Sequence, residues 1–299
     1  MRVIGLLILV TVVAIGAHGQ SNEMQKADSI ASLYPGHSLS DLGLLSYKLT
    51  SSLSGDKPKF RAIYKWVCTN IRGDYDLMEY CKRKRAKLKG EKLDRWSTEF
   101  NEVVINTLIT KHRTLCKGYA WLVRELALRA GIDCEIIPGY ARSVRSNVGG
   151  NGIANHSWNA VMLDDKWYLC DPTWSSGVVT VENEFTNIYS DEYFLADPEW
   201  FILNHYPLDP GWTLLERAPD LRTFLDAPLI YISAYKYKVR PIVPATFKLE
   251  VTRNQQASFS FVENGVLSTR STSFLRKGTY PYHIRINNEY VLSYKVVVK

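Results

Sequence analysis

Several signals that identify common classes of protein are missing from this sequence of 299 residues. No phosphate-binding GxxxxGK, dinucleotide-binding GxGxxG, zinc-binding HExxH or EF-hand calcium loop occurs along the chain. Five cysteines are too few and too scattered for a disulfide scaffold, and none forms the CxxC pair of a zinc site. We therefore expect chemistry that needs no cofactor and no metal, with at least one free thiol because the number of cysteines is odd.

Long apolar runs are scarce as well. The run at residues 3–15 follows the positive residue Arg2, and residues 17–19 place small side chains at the two positions that a signal peptidase reads. The run is too short for a membrane-spanning helix, which needs about 20 apolar residues. We predict a signal peptide at residues 1–19, no integral membrane segment, and a secreted or periplasmic localisation.

Composition and charge narrow the class of protein further. Apolar residues make up 46% and charged residues 22% of the chain, which excludes disordered, collagen-like and low-complexity proteins. The net charge is +7, and much of the excess lies in a basic run at residues 82–89. Such a run is typical of a nuclear signal or a nucleic-acid site, but in an exported protein we interpret it as a solvated loop. We therefore expect no nucleic-acid partner.

Apolar spacing predicts a helical N-terminal region. Residues 38–53 are predicted to form one helix, and the Asp-Lys-Pro sequence at 56–58 is typical of the capped start of a second helix. A polar, basic stretch at 73–95 is expected to interrupt this region before an amphipathic segment at 100–109.

A further helix is predicted over residues 115–130, where apolar residues recur at helical spacing before a stop at Gly131. Thr114 is the predicted N-cap, so Cys116 falls in the first turn. Backbone N–H groups and the helix dipole favour an anion there, and a thiolate is such an anion.

Two strand-like runs, 157–163 and 167–171, predict a β-hairpin. If Asp164 and Asp165 form a two-residue turn, Trp158 faces Asp171, and His156 projects on the same side as both. Diagonal neighbours of this kind lie roughly 7–8 Å apart at the backbone, within reach for an imidazole and a carboxylate. A three-residue turn would place the two groups on opposite faces.

Cys116, His156 and Asp171 supply the three parts of a Cys-His-Asp nucleophilic site. The imidazole accepts the thiol proton and later protonates the leaving amine, while the carboxylate fixes the tautomer and supports the imidazolium. Each residue taken alone also has a structural interpretation: a buried thiol, a satisfied polar histidine, and a turn-forming aspartate before proline.

Together these segments resemble a known family. The strings TLCKGYAWLVRELALRAGI, GYAR and NHSWNAVMLDDKWYLCDPTW are similar to the core of the transglutaminase-like superfamily, whose fold is related to papain-type cysteine peptidases. The match extends from about Phe60 to Gly177, and YFLADPEWFILNHYPLDPGWTLL resembles an extension of the kyphoscoliosis-peptidase branch. The resemblance implies that Cys116 is the nucleophile, His156 the general base and Asp171 the acid.

The oxyanion donor is left open by this resemblance. The N–H of Cys116 is the natural first donor, whereas Thr110 stands where papain-like enzymes have a glutamine. Three tryptophans that could donate an indole N–H are interpreted as core residues, and two further histidines as structural: Trp66, Trp158, Trp174, His112 and His205.

The chain changes character from about residue 220. Short alternating runs rich in aromatic and β-branched residues predict strands at 233–239, 245–252, 257–262, 280–286 and 290–298. We expect an α+β fold: a papain/transglutaminase-like core in which the helix with the nucleophile packs on an antiparallel sheet, followed by a small all-β sandwich. The predicted domains are residues 20–217 and 218–299, the latter Ig-like by resemblance.

The expected function is that of a secreted cysteine-dependent acyl-transfer enzyme that acts on amide bonds of protein or peptide substrates through a thioester. Hydrolysis is favoured because the resemblance is to the protease-like branch. One alternative is a protein-glutamine transglutaminase that cross-links glutamine to amines, and another is a non-catalytic binding or scaffold protein. Calcium has no identifiable ligand set, and the sequence does not predict the oligomeric state.

Overall fold

The computed structural model describes residues 22–144, 146–149, 152–180 and 182–299. The predicted signal peptide at 1–19 lies outside these residues. Within the described part of the chain, no helix is both long enough and apolar enough to cross a membrane. The chain divides into two compact units, one comprising the residues up to Ile136 with Ser157–Leu195, the other Ile137–His156 with Ala196–Lys299.

The helices follow the apolar spacing of the sequence. They are α1 (22–32), α2 (Leu42–Thr50), α3 (Asp56–Asn70), α4 (Tyr75–Lys87), α5 (Glu91–Lys111), α6 (Cys116–Arg129), α7 (Pro172–Ser176), α8 (Pro198–Phe201), α9 (Leu221–Asp226) and α10 (Ser233–Lys236). The predicted helix over 115–130 is confirmed. It ends before Gly131, whose φ of +77° suits glycine.

The strands are mostly antiparallel. They are β1 (Arg72–Gly73), β2 (Arg113–Thr114), β3 (Cys134–Ala141), β4 (His156–Leu163), β5 (Lys166–Cys170), β6 (Gly177–Val179), β7 (Phe185–Asn187), β8 (His205–Pro207), β9 (Leu229–Ile230), β10 (Arg240–Val243), β11 (Lys248–Val251), β12 (Gln256–Glu263), β13 (Val266–Ser273), β14 (Gly278–Ile286) and β15 (Glu289–Val298). Four of them form a sheet in the order β5-β4-β3-β8.

The core of the first unit joins helix α6 to its neighbours. Helix α6 packs against α2, α3 and α7. Its buried residues Leu122 and Leu126 share one apolar cluster with Ile63 of α3 and with Val161 and Leu163 of β4. Burying each such side chain stabilises the fold by about 1.5–3 kcal/mol, so helix and hairpin are held as one layered core.

The second unit contains a small β domain. Strands β10, β12 and β13 form one sheet, and β11, β15 and β14 form another, with β9 paired to β15. Phe259 of β12 stacks on Tyr282 of β14 at 4.0 Å between ring centroids, and both rings belong to the apolar cluster between the two sheets. The mixed helix-and-sheet fold with a sheet-rich C-terminal region is confirmed, whereas the boundary at residue 217 stays a prediction.

Two local predictions are wrong. The stretch at 73–95 contains helix α4, because Asp74 caps its start, accepting from the N–H of Leu77 at 3.0 Å, and basic residues in its last turn suit the helix dipole. The predicted strand at 233–239 begins instead with the short helix α10. Ala234 in this helix and Tyr237 at its C-cap are both buried and lie three residues apart, which is helical spacing.

Candidate active site

Cys116 opens helix α6. Leu115 before it is extended, with φ −106° and ψ 176°, and the first turn of the helix has no acidic residue. The first turn of a helix presents backbone N–H groups and the positive end of the dipole. Cys116 is partly exposed, so this is a position at which a thiolate is electrostatically favoured and reachable.

Thr114 is not the N-cap of this helix, contrary to the prediction. It lies in β2, paired with Gly73 of β1, and its carbonyl oxygen accepts from the N–H of Asp74 at 2.9 Å. Its buried side chain packs against Gly118, so it braces the first turn through packing. The helix starts one residue later because Leu115 supplies the extended backbone of the N-cap position.

The β4–β5 hairpin has the predicted register. Asp164 and Asp165 both have positive φ, 49° and 58°, as a two-residue type I′ turn requires. Leu163 pairs with Lys166, and the ladder runs back to the pair of Asn159 and Cys170. Because side chains alternate along a strand, Trp158 and His156 share the face of β4 opposite to that of Asn159.

Asn159 ties this hairpin to the nucleophile helix. Its side-chain amide donates to the carbonyl oxygen of Ala120 in α6 at 2.9 Å and to that of Glu135 in β3 at 3.2 Å. Cys170, its partner across the ladder, is fully buried in the core. Cys170 therefore lies on the face of the hairpin opposite to that of His156.

Asp171 is fully buried and held at the junction of β5 and α7. Its N–H donates to the carbonyl oxygen of Tyr193 at 3.0 Å, and its Oδ1 accepts from the N–H groups of Thr173 and Trp174 at 2.8 and 3.2 Å. The carboxylate therefore caps α7, which begins with Pro172 at its first position. These bonds fix the orientation of the carboxylate.

Asn155 fastens the chain just before His156. Its N–H donates to the carbonyl oxygen of Gly139 at 3.0 Å, and its Oδ1 accepts from the N–H of Ala141 at 2.8 Å. Hydrogen bonds to strand β3 thus fix the residue that precedes β4. His156 itself is half-buried, so its ring remains reachable.

A second imidazole lies beside His156. The rings of His156 and His205 are 5.5 Å apart between centroids. His205 is fully buried, stacks on Phe201 at 4.1 Å, and its Nδ1 lies 2.7 Å from Oδ1 of Asn204. Sequence reasoning did not predict this neighbour, because nothing in the local pattern of β8 indicates that it pairs with the end of β3.

The remaining cysteines are poor candidates for the nucleophile. No disulfide forms among the described residues. Burial raises the pKa of the Cys68, Cys134 and Cys170 thiols, so these stay protonated near neutral pH. Burial also raises the pKa of the half-buried Cys81 thiol, although Arg85 opposes the shift.

The other tryptophans and histidines named above occupy structural positions. The indole N–H of Trp66 donates to the carbonyl oxygen of Tyr34 at 2.7 Å. Trp174 meets Tyr193 edge-on, with ring centroids 5.4 Å apart. His112 ends helix α5 in the left-handed region, with φ 51°, and burial lowers the pKa of its ring. The oxyanion side-chain donor therefore stays unassigned.

Comparison with known proteins connects these features to a family. Residues 45–172 match the family model described as "Transglutaminase-like superfamily". The chain is similar to "Kyphoscoliosis peptidase" of Homo sapiens, with 33% identity over 56% of this chain and 23% of that protein, and of Mus musculus, with 32% identity over 62% and 26%. It is also similar to "Cytokinesis protein 3" of Saccharomyces cerevisiae, with 26% identity over 60% and 20%.

The comparisons overturn one prediction. The matching relatives are intracellular or cytoskeletal eukaryotic proteins, so the predicted secreted or periplasmic localisation is wrong. The apolar run at 3–15 matched the composition of a signal peptide, but composition alone does not demonstrate export. The interpretation of the basic run at 82–89, which depended on export, loses that support.

The similarity to the kyphoscoliosis peptidases covers only part of those proteins. The chain spans about a quarter of the length of the kyphoscoliosis peptidases that it matches. The matched domain nevertheless covers Cys116, His156 and Asp171, and the family is one of cysteine-dependent acyltransferases and peptidases. Residues 45–172 therefore form a domain of the transglutaminase-like superfamily, and the chain is similar to the kyphoscoliosis-peptidase branch of it.

Proposed function

We propose that this chain is a cysteine-dependent acyl-transfer enzyme acting on amide bonds of proteins or peptides. The observation that carries the proposal is the position of Cys116, partly exposed in the first turn of a helix that is hydrogen-bonded to the β4–β5 hairpin through Asn159. That hairpin begins with His156 and leads into Asp171. In the proposed triad these three residues act as nucleophile, general base and orienting acid.

The proposed reaction passes through a thioester. His156 takes the proton of Cys116, and the thiolate sulfur attacks the carbonyl carbon of the amide to give a tetrahedral oxyanion. The first-turn N–H groups of α6 stabilise that oxyanion. Collapse breaks the C–N bond, and the imidazolium gives its proton to the leaving amine.

The second half of the proposed reaction regenerates the thiol. His156 removes a proton from water, and the oxygen attacks the thioester carbonyl. The C–S bond then breaks, a carboxylic acid forms, and the imidazolium returns its proton to the sulfur of Cys116. We favour water because two matched relatives, at 33% and 32% identity, are described as peptidases. Attack by an amine instead would make a new amide, the transglutaminase outcome.

A non-catalytic binding role is the second candidate. It is favoured by the similarity to a protein described as a cytokinesis protein, a description that names no reaction. In that case the same residues would form a structural cluster, with Asp171 serving only as the cap of α7. Thiol reactivity separates the two candidates.

The test is to alkylate the folded protein with iodoacetamide at neutral pH and to map the modified residues by mass spectrometry. We expect Cys116 to react first, and its modification to slow strongly in His156→Ala. His283→Ala is the matched control, because it removes an imidazole that lies beside Ser293 in the β14–β15 pair and should leave the rate at Cys116 unchanged. Preferential modification of Cys134 or Cys170, with Cys116 untouched, contradicts the catalytic proposal.

Two product assays then distinguish the acceptors. Hydrolysis of a glutamine-containing protein or peptide releases ammonia or a new amino terminus, whereas transglutamination incorporates a fluorescent primary amine such as dansylcadaverine. We expect hydrolysis to dominate when that amine is present at millimolar concentration. Incorporation of the amine as the main product would favour the transglutaminase alternative.

A further inference from the structure

Helices α4 and α5 form a two-helix insertion whose ends lie next to the candidate nucleophile. This α4–α5 arm, residues 75–111, is inserted between strands β1 and β2, which pair in parallel through Gly73 and Thr114. The N–H of Asp74 donates to the carbonyl oxygen of Thr114 at 2.9 Å, so the arm starts and ends at one point. Cys116 follows Thr114 by two residues, which puts the base of the arm beside the reactive thiol.

The arm has little buried surface. Helix α4 buries none of its residues, and α5 buries Phe100, Val104 and Leu108. Aromatic side chains pack the two helices together. Between ring centroids, Tyr80 lies 6.3 Å from Trp96 and 5.8 Å from Phe100, and Trp96 stacks on Phe100 at 4.7 Å. Most of the arm therefore remains as exposed surface of the first unit.

The charge of the chain is concentrated in this arm. Residues 82–95 contain eight basic and two acidic residues, a net charge of +6 against +7 for the whole chain. Arg83 and Lys87 lie four residues apart on one helix and are both exposed, as are Lys89 and Lys92. Like charges four residues apart repel each other on a helix, and this repulsion offsets the favourable interaction of the last-turn cations with the helix dipole. This concentration of positive charge is suited to an acidic partner.

The length of the arm sets the position of that partner. A helix rises 1.5 Å per residue, so the basic residues of α4 lie roughly 10–20 Å from the base. An extended peptide covers that span with about three to six residues, at 3.3–3.6 Å each. Burial raises the pKa of the Cys81 thiol, and Cys116 adds to that shift, which agrees with a position of mid-α4 near the nucleophile.

We propose that residues 82–95, the basic end of the α4–α5 arm, bind an acidic segment of the protein substrate. The segment lies about three to six residues from the amide that Cys116 attacks. This inference rests on the proposed function, because it takes the substrate of Cys116 to be a polypeptide. It names the substrate class that the site accepts: polypeptides with aspartate- or glutamate-rich sequence near the reactive amide.

The test measures binding without turnover. A fluorescein-labelled peptide of about twelve residues, with alternating glutamates beside one glutamine, is titrated with the full chain carrying Cys116→Ala and followed by fluorescence anisotropy. A peptide with glutamine in place of every glutamate is the uncharged comparison. Circular dichroism verifies that every variant is folded.

Two quadruple variants remove the same charge from different places. The arm variant carries Arg83→Gln, Lys87→Gln, Lys89→Gln and Lys92→Gln. The control variant carries Arg253→Gln, Arg270→Gln, Arg276→Gln and Lys277→Gln, which are exposed cations of the second unit. We expect the arm variant to bind the acidic peptide about tenfold more weakly, the control variant to bind it within about twofold of the parent, and added salt to remove the difference.

Three outcomes would overturn the inference: equal weakening in both quadruple variants, equal affinity for the acidic and uncharged peptides, or tighter binding to phosphatidylserine vesicles or single-stranded DNA than to the acidic peptide. Alkylation of Cys116, measured separately on the chain that retains the thiol, keeps the two proposals apart. Normal alkylation of Cys116 without binding of the acidic peptide contradicts only the proposal that the arm binds an acidic segment of the substrate. Binding without preferential alkylation contradicts the proposed function instead.

Discussion

Gly118 in the first turns of α6 lies directly against Thr114, the residue that precedes the N-cap. A Cβ added at Gly118 would come within 1.9 Å of Thr114 Oγ1 and 3.0 Å of its Cβ. Thr114 is fully buried and fixed by its pairing with Gly73, so it has little room to move away. The contact sets how closely the first turn of the nucleophile helix approaches the β1–β2 pair.

Gly118→Ala should therefore displace the start of α6. We expect a loss of about 1–3 kcal/mol of unfolding free energy from the overlap, reduced by up to about 1 kcal/mol because alanine favours helix. The rate of Cys116 alkylation should fall because the first-turn N–H groups move with the helix. Thermal unfolding and iodoacetamide kinetics measure the two effects.

The control for this change removes the obstructing atoms. In Thr114→Ala with Gly118→Ala, the hydroxyl and the methyl group are gone and the Cβ at 3.0 Å remains the nearest atom. Most of the lost alkylation rate should return. No recovery in a folded double variant would mean that the contact does not set the position of Cys116.

His156 and Asp171 should differ in how strongly their loss affects turnover. His156→Ala removes both the base and the proton donor, each typically worth about 10²–10⁴-fold, and should nearly abolish the reaction. Asp171→Asn keeps a side-chain oxygen that can cap α7 and orient the ring, so part of the activity should survive. Rates on a peptide substrate check the order, and a larger loss in Asp171→Asn would mean that the base is misassigned.

The cap at Asp171 gives a separate prediction on stability. Asp171→Ala loses the bonds to the N–H groups of Thr173 and Trp174 and leaves these partly buried donors without that acceptor, so it should lower the unfolding free energy by about 1–2 kcal/mol. Asp171→Asn should cost less, because asparagine caps as well as aspartate. Urea denaturation of the two variants measures the difference, and equal stabilities would contradict the capping role.

Asn159→Leu tests the link between the hairpin and the nucleophile helix. Leucine is close in size but leaves the carbonyl groups of Ala120 and Glu135 without this donor, at a cost of about 1–3 kcal/mol. We expect a lower melting temperature and slower alkylation of Cys116. Ser29→Ala, which removes an exposed hydroxyl bond within α1, is the control and should change neither quantity. Unchanged melting in Asn159→Leu would contradict this role.

The contacts of Arg61 should make the stability of the folded chain depend on pH in the acidic range. Arg61 is buried and bonds to Asp28, at 2.8 Å between Nη2 and Oδ2, and to Asp191. Burial opposes ionisation of Asp191, but hydrogen bonds from Arg61 and Tyr189 outweigh it and lower the pKa of that carboxyl. The folded state therefore holds the carboxylate more strongly than the unfolded chain does. This stabilisation is complete above the ordinary aspartate pKa near 4 and is lost as the pH falls below it.

The measurement compares the parent chain with Asp191→Asn from pH 7 to pH 3 by urea denaturation. The difference in unfolding free energy should be about 1 kcal/mol or less, because Asp191 is largely exposed, and constant down to about pH 5. It should shrink below pH 4. A difference that grows on acidification would contradict the lowered pKa.

Sequence patterns that span only a few residues were enough to predict much of the fold around the candidate site. The helical spacing of the residues after Cys116, the stop at Gly131 and the two aspartates of the hairpin turn each act over a few residues, and the structure has all three. A two-residue turn fixes the register of every later pair, so the shared face of His156 and Trp158 followed from the sequence alone. The family resemblance rested on these same segments.

Features that depend on distant partners did not follow from the sequence. The sequence around Thr114 is typical of an N-cap, but in the structure Thr114 lies in β2 and pairs with β1. The basic stretch is typical of a loop, but in the structure Asp74 caps α4 and Tyr80 packs against the ring of Phe100 in α5. His205 joins His156 because β8 pairs with β3, a contact without local signature. Helix and strand periodicity depends on residues that are neighbours in the sequence. These contacts depend instead on which surfaces the fold buries against each other, and the tertiary structure alone determines that.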